Sequence, residues 1–516
     1  LLNYNKQIKD YSVSASAGWV GHTLKTTYKN TDVTTTYIDP LLRKPSTDVN
    51  YFETNAGGMG ATTSGKSSSW DKALLFTAQA GWKETVYVDF SYRQDWYRLF
   101  RQLYQIGYAD KQSYGYFGLG ANAIVSNLVK FPEWFNYMKF RVSYSEAGNS
   151  FADAGFYRIS QNRRTGAVNA NNYKKFKAVP EVMKSFETGI ETMFLNNRLS
   201  FDLTYYNGVM DHLYMEGSDA SGVQPFTSAK VRNQGIETTI GYNFHLAKDL
   251  NWRTSYNVSY NSNKILKTAY NDQGKELIQQ QVVGGTYIRY KEGGSIGDMY
   301  IHDFERDANG NIALTKSGAP RFKSSGQDAD LIYVGNMNSK WQMGWSNNFN
   351  YKDFTLSFLI NGRIGGKVIS LTEAYLDQNG LSQRVADARL NAERNNIVAT
   401  DYKNAPGMQL NDGSGRIVPV EAYYKAMGAS TNPYNYIYSA TNFRLRELSL
   451  GYTFRNLLGQ NKNLNVAFIA RNLFFLYNDS PVDPDVSLST ANGLGAFELF
   501  NMPSSRSFGL SLKLNF

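Results

Sequence analysis

Polar and apolar residues alternate with a period of two along most of the chain, in segments of about ten residues, the length of a tilted strand crossing a membrane. From Trp252, one face reads Trp252, Thr254, Tyr256, Val258, Tyr260 and the other Arg253, Ser255, Asn257, Ser259, Asn261. The same division recurs in Val86, Val88, Phe90, Tyr92 against Tyr87, Asp89, Ser91, Arg93, and in Met138, Phe140, Val142, Tyr144 against Lys139, Arg141, Ser143, Ser145. Leu199, Phe201, Leu203 and Tyr205 oppose Ser200, Asp202, Thr204 and Tyr206. One face suits lipid and the other water, which predicts strands closing on a polar interior. Short turns are expected at Leu195, Asn196, Asn197 and Arg198 and at Lys352 and Asp353. Long polar and aromatic connections are expected over 21–72, 97–114, 150–180, 264–340 and 362–434. Short loops at one end and long ones at the other are the signature of an outer-membrane barrel. A soluble sandwich would carry more charge on its polar face and shorter loops. Within the last long loop, residues 381–396 read as a short surface helix.

Composition sharpens this picture. Aromatics make up 15% of the 516 residues, yet hydrophobic residues reach only 42% and the mean hydropathy is -0.45. Aromatic excess without hydrophobic excess fits strands that turn only every second residue to lipid and gather Tyr and Trp at the interfaces. No stretch approaches the roughly 18 apolar residues of a membrane helix. A closed barrel crosses lipid without one, because each strand satisfies its neighbour's backbone.

The net charge of +10 is scattered over loops and turns with no basic run, which argues against a nucleic-acid partner and leaves anionic lipid headgroups, lipopolysaccharide or acidic substrates as its recipients. There are no cysteines, and His22, His212, His245 and His302 are widely separated, so no metal site or cofactor site is expected. Asp307 to Asn311 (DANGN) places Gly310 fourth rather than sixth, with Gly318 where a calcium loop needs Glu, and reads as a β-turn. Asp483 and Asp485 flank Pro484 and read as a Pro-fixed loop rather than a catalytic carboxylate pair. Gly293–Gly294 and Gly365–Gly366 suit tight loops rather than a phosphate cradle. His212 and His302 have no neighbouring Ser to make a hydrolase site, so the chain is not expected to be an enzyme.

The last residues carry the most position-specific signal: Phe508, Leu510, Leu512, Leu514 and Phe516 alternate with Gly509, Ser511, Lys513 and Asn515. This resembles the terminal strand that barrel-assembly machinery reads. Further blocks lie in the order found in SusC/RagA-type TonB-linked outer-membrane proteins: MKFRVSYSEAGN (138–149), PEVMKSFETGIETMFLNNRLSFDLTYYN (180–207), NQGIETTIGYNF (233–244), EGGSIGDMY (292–300), the segment 333–366, NFRLRELSLGYTF (442–454) and RNLFFLYNDSPVDPDVS (471–487). The chain resembles that family over nearly its whole length.

The resemblance implies an all-β, transmembrane antiparallel β-barrel with long extracellular loops. The barrel is 22-stranded in the family, and residues 1–516 correspond to its C-terminal half or more. Signal peptide, TonB box, plug domain and first strands would lie outside this sequence. It implies TonB-dependent import of a glycan or peptide across the bacterial outer membrane, with a SusD-like surface lipoprotein and the TonB complex as partners. A passive porin or an adhesin anchored by its barrel is the structural alternative. Siderophore or cobalamin uptake by the same kind of machine is the transport alternative. Loop aromatics able to stack on sugars or pack on peptide side chains are Trp96, Tyr97, Tyr104, Tyr108, Tyr114, Tyr287, Tyr290, Tyr300 and Tyr375, the competing role for each being the interfacial girdle or a lid interface.

Overall fold

The computed structural model describes residues 1–31, 37–38, 45–46, 62–105, 107–150, 178–219, 222–271, 273–315, 320–324, 328–399, 404–410, 415–429, 432–457, 459–460, 462–489 and 493–515. Fifteen strands form one antiparallel sheet, each bonded to its neighbour in order along the chain. They are β1 (Leu2–Ile8), β2 (Tyr11–Thr31), β3 (Thr62–Trp82), β4 (Val86–Tyr97), β5 (Ser113–Ile124), β6 (Phe135–Asn149), β7 (Glu181–Phe194) and β8 (Leu199–Asp219). After these come β9 (Gly222–Ala247), β10 (Leu250–Lys267), β11 (Trp341–Tyr351), β12 (Phe354–Ile364), β13 (Asn442–Phe454), β14 (Asn463–Asn478) and β15 (Ser507–Asn515). Connections at one end are short, the longest lying between β5 and β6 and between β13 and β14, and those at the other end are mostly long. The short turns use left-handed backbone at Leu195, Asn196, Asn197 and Lys352; Asn is among the few residues that adopt it readily.

The register puts the alternating faces where the pattern requires. Thr188, Tyr205, Ile236, Tyr260, Trp341 and Ile364 are successive cross-strand partners from β7 to β12, and Phe244, Trp252, Phe349 and Leu356 form a second row toward the short turns. Trp252 stacks on Phe244 at 4.5 Å and on Phe349 at 5.3 Å, and Tyr260 meets Trp341 at 4.7 Å. Eight residues of β10 separate the two aromatic rows, about 26 Å of strand at 3.3 Å per residue. Tilted by about 40°, that spans roughly 20 Å along the membrane normal, close to the apolar band of such barrels. Between the rows Ile240, Tyr256 and Trp345 are all exposed, as lipid-facing side chains of an isolated chain must be.

Several strands outrun the bilayer. The expected loop over 21–72 is paired at both its ends: the β2–β3 ladder continues from Gly21↔Lys72 to Thr31↔Thr62. The alternation fades there because neither face meets lipid, while the backbone ladder needs no apolar side chains. The expected loop over 264–340 likewise holds a four-stranded sheet of Gln279–Val283, Thr286–Tyr290, Asp298–His302 and Leu331–Asn336. Among the described residues four helices rise from the loops: α1 (Arg98–Gln105), α2 (Leu371–Gln378), α3 (Gln383–Arg394) and α4 (Val420–Ala429). The helix expected over 381–396 is α3, capped by Ser382, whose hydroxyl accepts from the Val385 N–H at 3.2 Å. It is not purely a surface element, since Val385 and Ala392 are buried.

The long loops share a core of their own. Ile288 and Met299 from the four-stranded sheet, Ile369, and Ala496 and Phe497 from the loop after β14 form one buried cluster, packed by Tyr290, Leu371 and Ile437. Strand 367–370 pairs antiparallel with 437–439 and parallel with 497–498, so three loops far apart in sequence make one crown.

Candidate functional site

The polar face of the sheet is the surface a solute would meet. It is lined by short polar residues and charges held by neighbours. Arg141 of β6 donates both NH groups to Asp202 of β8 at 3.1 Å each and also bonds Thr204. Gln79 donates to Asp89 at 2.6 Å, and Lys139 lies directly across from Glu191. A hollow of about 520 Å³ lies against β2–β6, lined by Ser14, Ser16, Thr77, Gln79, Ser91 and Ser143 among others. Such a wall offers many weak hydrogen bonds and small side chains, and among the described residues no group of three or more His, Cys, Asp or Glu gathers as a metal site would need.

The loop aromatics fall into four groups. Tyr97, Tyr108 and Tyr114 pack around the buried core of α1, Leu99, Phe100 and Leu103, with Phe100 5.8 Å from Tyr97 and 5.1 Å from Tyr114. They serve that core. Trp96 is half-buried on the lipid-facing register of β4, and Tyr104 on α1 is exposed. Tyr287, Tyr290 and Tyr300 belong to the crown sheet: the Tyr287 hydroxyl lies 2.8 Å from His302 Nε2, Tyr290 packs against two buried clusters, and Tyr300 meets Tyr333 edge-on at 5.6 Å. Tyr375 meets Phe500 edge-on at 5.3 Å, both largely exposed. Tyr104 and Tyr375 are thus the most open aromatics of the set, and Phe500 beside Tyr375 and Tyr333 beside Tyr300 are exposed as well. Phe500 carried no periodic signal that would have marked it.

Phe508, Leu510 and Leu512 lie outward on β15 and Leu514 pairs with Leu464, while Phe516 lies outside the described residues. Asp307 takes the Asn309 and Asn311 N–H groups at 2.9 Å each, which is the β-turn expected of DANGN.

The carboxylates around Pro484 turn out to clasp the crown to the wall. Arg444 of β13 is 2% exposed; its NH2 reaches Asp483 at 2.5 Å and its guanidinium lies 4.0 Å over the Phe475 ring. Asp483 also accepts from Ser504 and from the Asp485 N–H, and Arg363 of β12 pairs with Asp485 at 3.4 Å. Burial alone would raise the Asp483 pKa, but the hydrogen bonds from Arg444, Ser504 and the backbone outweigh it and hold the carboxyl below its ordinary value. A second polar knot stands in the helical part of the crown, where buried Asp377 takes the Tyr436 hydroxyl at 2.9 Å and Arg384 at 2.9 Å. Burial, then the charge of Asp377, pushes the Tyr436 phenol above its ordinary value. These groups are locked structurally rather than poised for chemistry.

The family described as TonB dependent receptor-like, beta-barrel, matches residues 2–330. The chain belongs to the TonB-dependent receptor β-barrel family. Among curated relatives of this receptor barrel, TonB-dependent receptor P39 of Formosa agariphila is 23% identical over 94% of the chain and 49% of its own length, and receptor P3 of the same organism is 22% identical over 79% and 42%. TonB-dependent receptor SusC of Bacteroides thetaiotaomicron is 22% identical over 65% of the chain and 32% of its own length. The chain thus spans at most about half the length of these relatives. Among solved structures, the RagAB peptide importer matches the whole receptor barrel at a TM-score of 0.68 in its open-open state and 0.67 in its closed-closed state, with 15% and 16% identity and 54% and 55% of that chain covered. At that identity the likeness is one of fold, and it matches the resemblance read from the strand blocks. Proteins of this family reside in the bacterial outer membrane, and the outward apolar band fits a membrane.

Proposed function

We propose that this receptor barrel forms the wall of an energised importer that carries a nutrient too large for ordinary porins across the outer membrane. The observation that carries this reading is the two-faced register: an apolar band of membrane height outside and a hydrogen-bonding wall with a solute-sized hollow inside, in a chain of this family. A glycan or a peptide is the substrate class that fits such a wall, since both present many hydrogen-bonding groups. The names of the similar proteins, a receptor SusC and a peptide importer, point the same way. The remaining length of those relatives would supply the plug, the TonB box and the first strands, and a surface lipoprotein of the SusD kind would sit on the crown. No step of this function calls on bond-making chemistry.

The reading is tested by uptake into cells producing the whole protein, with labelled oligopeptides and oligosaccharides offered separately. Uptake of one class that disappears when TonB is deleted supports it. Uptake that persists without TonB, with ion conductance in planar bilayers to match, makes the barrel a passive porin instead.

A further inference from the structure

We propose that the outward face of β7–β10, at its extracellular end, binds a phosphate group of the outer-leaflet glycolipid. The site follows from register. Glu146, Lys184, Val209, Arg232 and Lys264 are consecutive cross-strand partners from β6 to β10, so they stand in one row on one face. That face is the lipid-facing one, because four residues back along each strand from β7 to β10 stands the row Thr188, Tyr205, Ile236, Tyr260, of which Tyr205 and Ile236 are apolar or aromatic and yet exposed. Four residues of strand are about 13 Å, which sets the charges beyond the upper aromatic row at headgroup depth. Lys264 projects from the opposite side of β10 to Asn263, whose side-chain oxygen accepts from the Ile296 N–H at 2.7 Å beneath the crown.

The charge balance of this patch is positive. Lys184 and Lys230 both bind Asp211, at 3.1 and 3.3 Å, and Glu146 accepts from the Tyr144 hydroxyl at 2.8 Å. Among the described residues Arg232 and Lys264 have no ion pair. The Arg232 Nε–H is buried without an acceptor among the described residues, and Lys264 is exposed. A buried guanidinium N–H beside an exposed ammonium, on adjacent strands about 4.8 Å apart, calls for an anion with several oxygen acceptors. On a surface that faces lipid below and headgroups above, that anion is a lipid phosphate. Among the described residues no carboxylate pairs with Arg232 or Lys264, and Asp211 already takes Lys184 and Lys230.

The proposal rests on the outer-membrane reading of the barrel, and its test separates the two. The whole protein is purified from outer membranes in mild detergent, and retained lipid A phosphate is compared between the native protein, an Arg232→Gln/Lys264→Gln variant, and an Arg253→Gln/Lys139→Gln control that removes the same charge from the inner wall. Roughly fivefold per cation near an anionic surface gives an affinity about 25-fold weaker for the outer pair and little change for the control. Equal retention in all three, or equal loss in both variants, overturns the site. Should the outer variant fail to assemble, the native protein is instead reconstituted with phosphorylated or dephosphorylated lipid A. Retention that depends on the lipid phosphate supports the site, and retention that does not overturns it. Displacement by millimolar inorganic phosphate as readily as by lipid A overturns the assignment to lipid. A protein absent from the outer-membrane fraction would refute the membrane reading itself.

Discussion

The wall and the crown of this protein are held together by different physics. In the wall, most large apolar side chains point away from the protein: Phe468, Leu510 and Leu512 on neighbouring strands are each about half exposed or more, and the strands cohere through their ladders. In the crown, Ile288, Met299, Ile369 and Phe497 are essentially fully buried, as in a water-soluble domain. The wall has lipid as its hydrophobic partner and needs no core; the crown has water around it and must make one.

The difference can be broken most sharply at the joint between the two. Asp483→Ala takes from the buried Arg444 its hydrogen-bonded carboxylate and leaves it only Asp485 at 3.8 Å, and breaking a buried pair costs up to about 3–5 kcal/mol. The expected outcome is rapid proteolysis within residues 479–506 with the fifteen-stranded wall still heat-resistant on gels. Next in size is a charge on the lipid face: Ile240→Arg should cost about 2–4 kcal/mol in the membrane. Thr239→Arg, one residue along β9 and on the water-facing side, should cost far less, both read by unfolding in urea from lipid vesicles. A third test trims the crown core, where Ile369→Val should cost about 0.5–1.5 kcal/mol, seen as faster hydrogen exchange in strand 367–370 and no change in β1–β15.

The smallest effect is set by pH. Because the Asp483 carboxyl is held below its ordinary value, its contribution is complete above the unfolded carboxyl pKa of about 4 and is lost as pH falls through the lower folded value. Cleavage of the 479–506 loop by an acid-active protease should therefore accelerate below about pH 4. In Asp483→Asn the loop should be looser at neutral pH and less sensitive to acid.

Much of the wall was legible from the chain because a strand's side chains alternate strictly, so Trp252 to Tyr260 reveal their outward face without knowledge of any partner. Legibility fell off where that rule stops acting. Between Gly21 and Lys72 the ladder runs on with polar residues on both faces, and no side-chain pattern marks it. The helices α1, α2 and α4 are only eight to ten residues long, too short for a clear period. Of the loop aromatics, Tyr97, Tyr108 and Tyr114 pack against the core of Leu99, Phe100 and Leu103, because a short helix in a loop buries its apolar side under the nearest rings.

By itself, then, the amino-acid sequence determined the fold class, the membrane, the outward and inward faces of most strands and the end that carries the loops, all consequences of local periodicity and turn chemistry. Tertiary structure alone decided what meets across strands and loops. Arg444 finds Asp483, 39 residues on; Ile369 finds Phe497; and Arg232 comes to stand beside Lys264 at the rim of the lipid band. Those encounters depend on register and on how the crown folds back over the wall, and pairing between distant segments leaves no trace in the order of residues along either one.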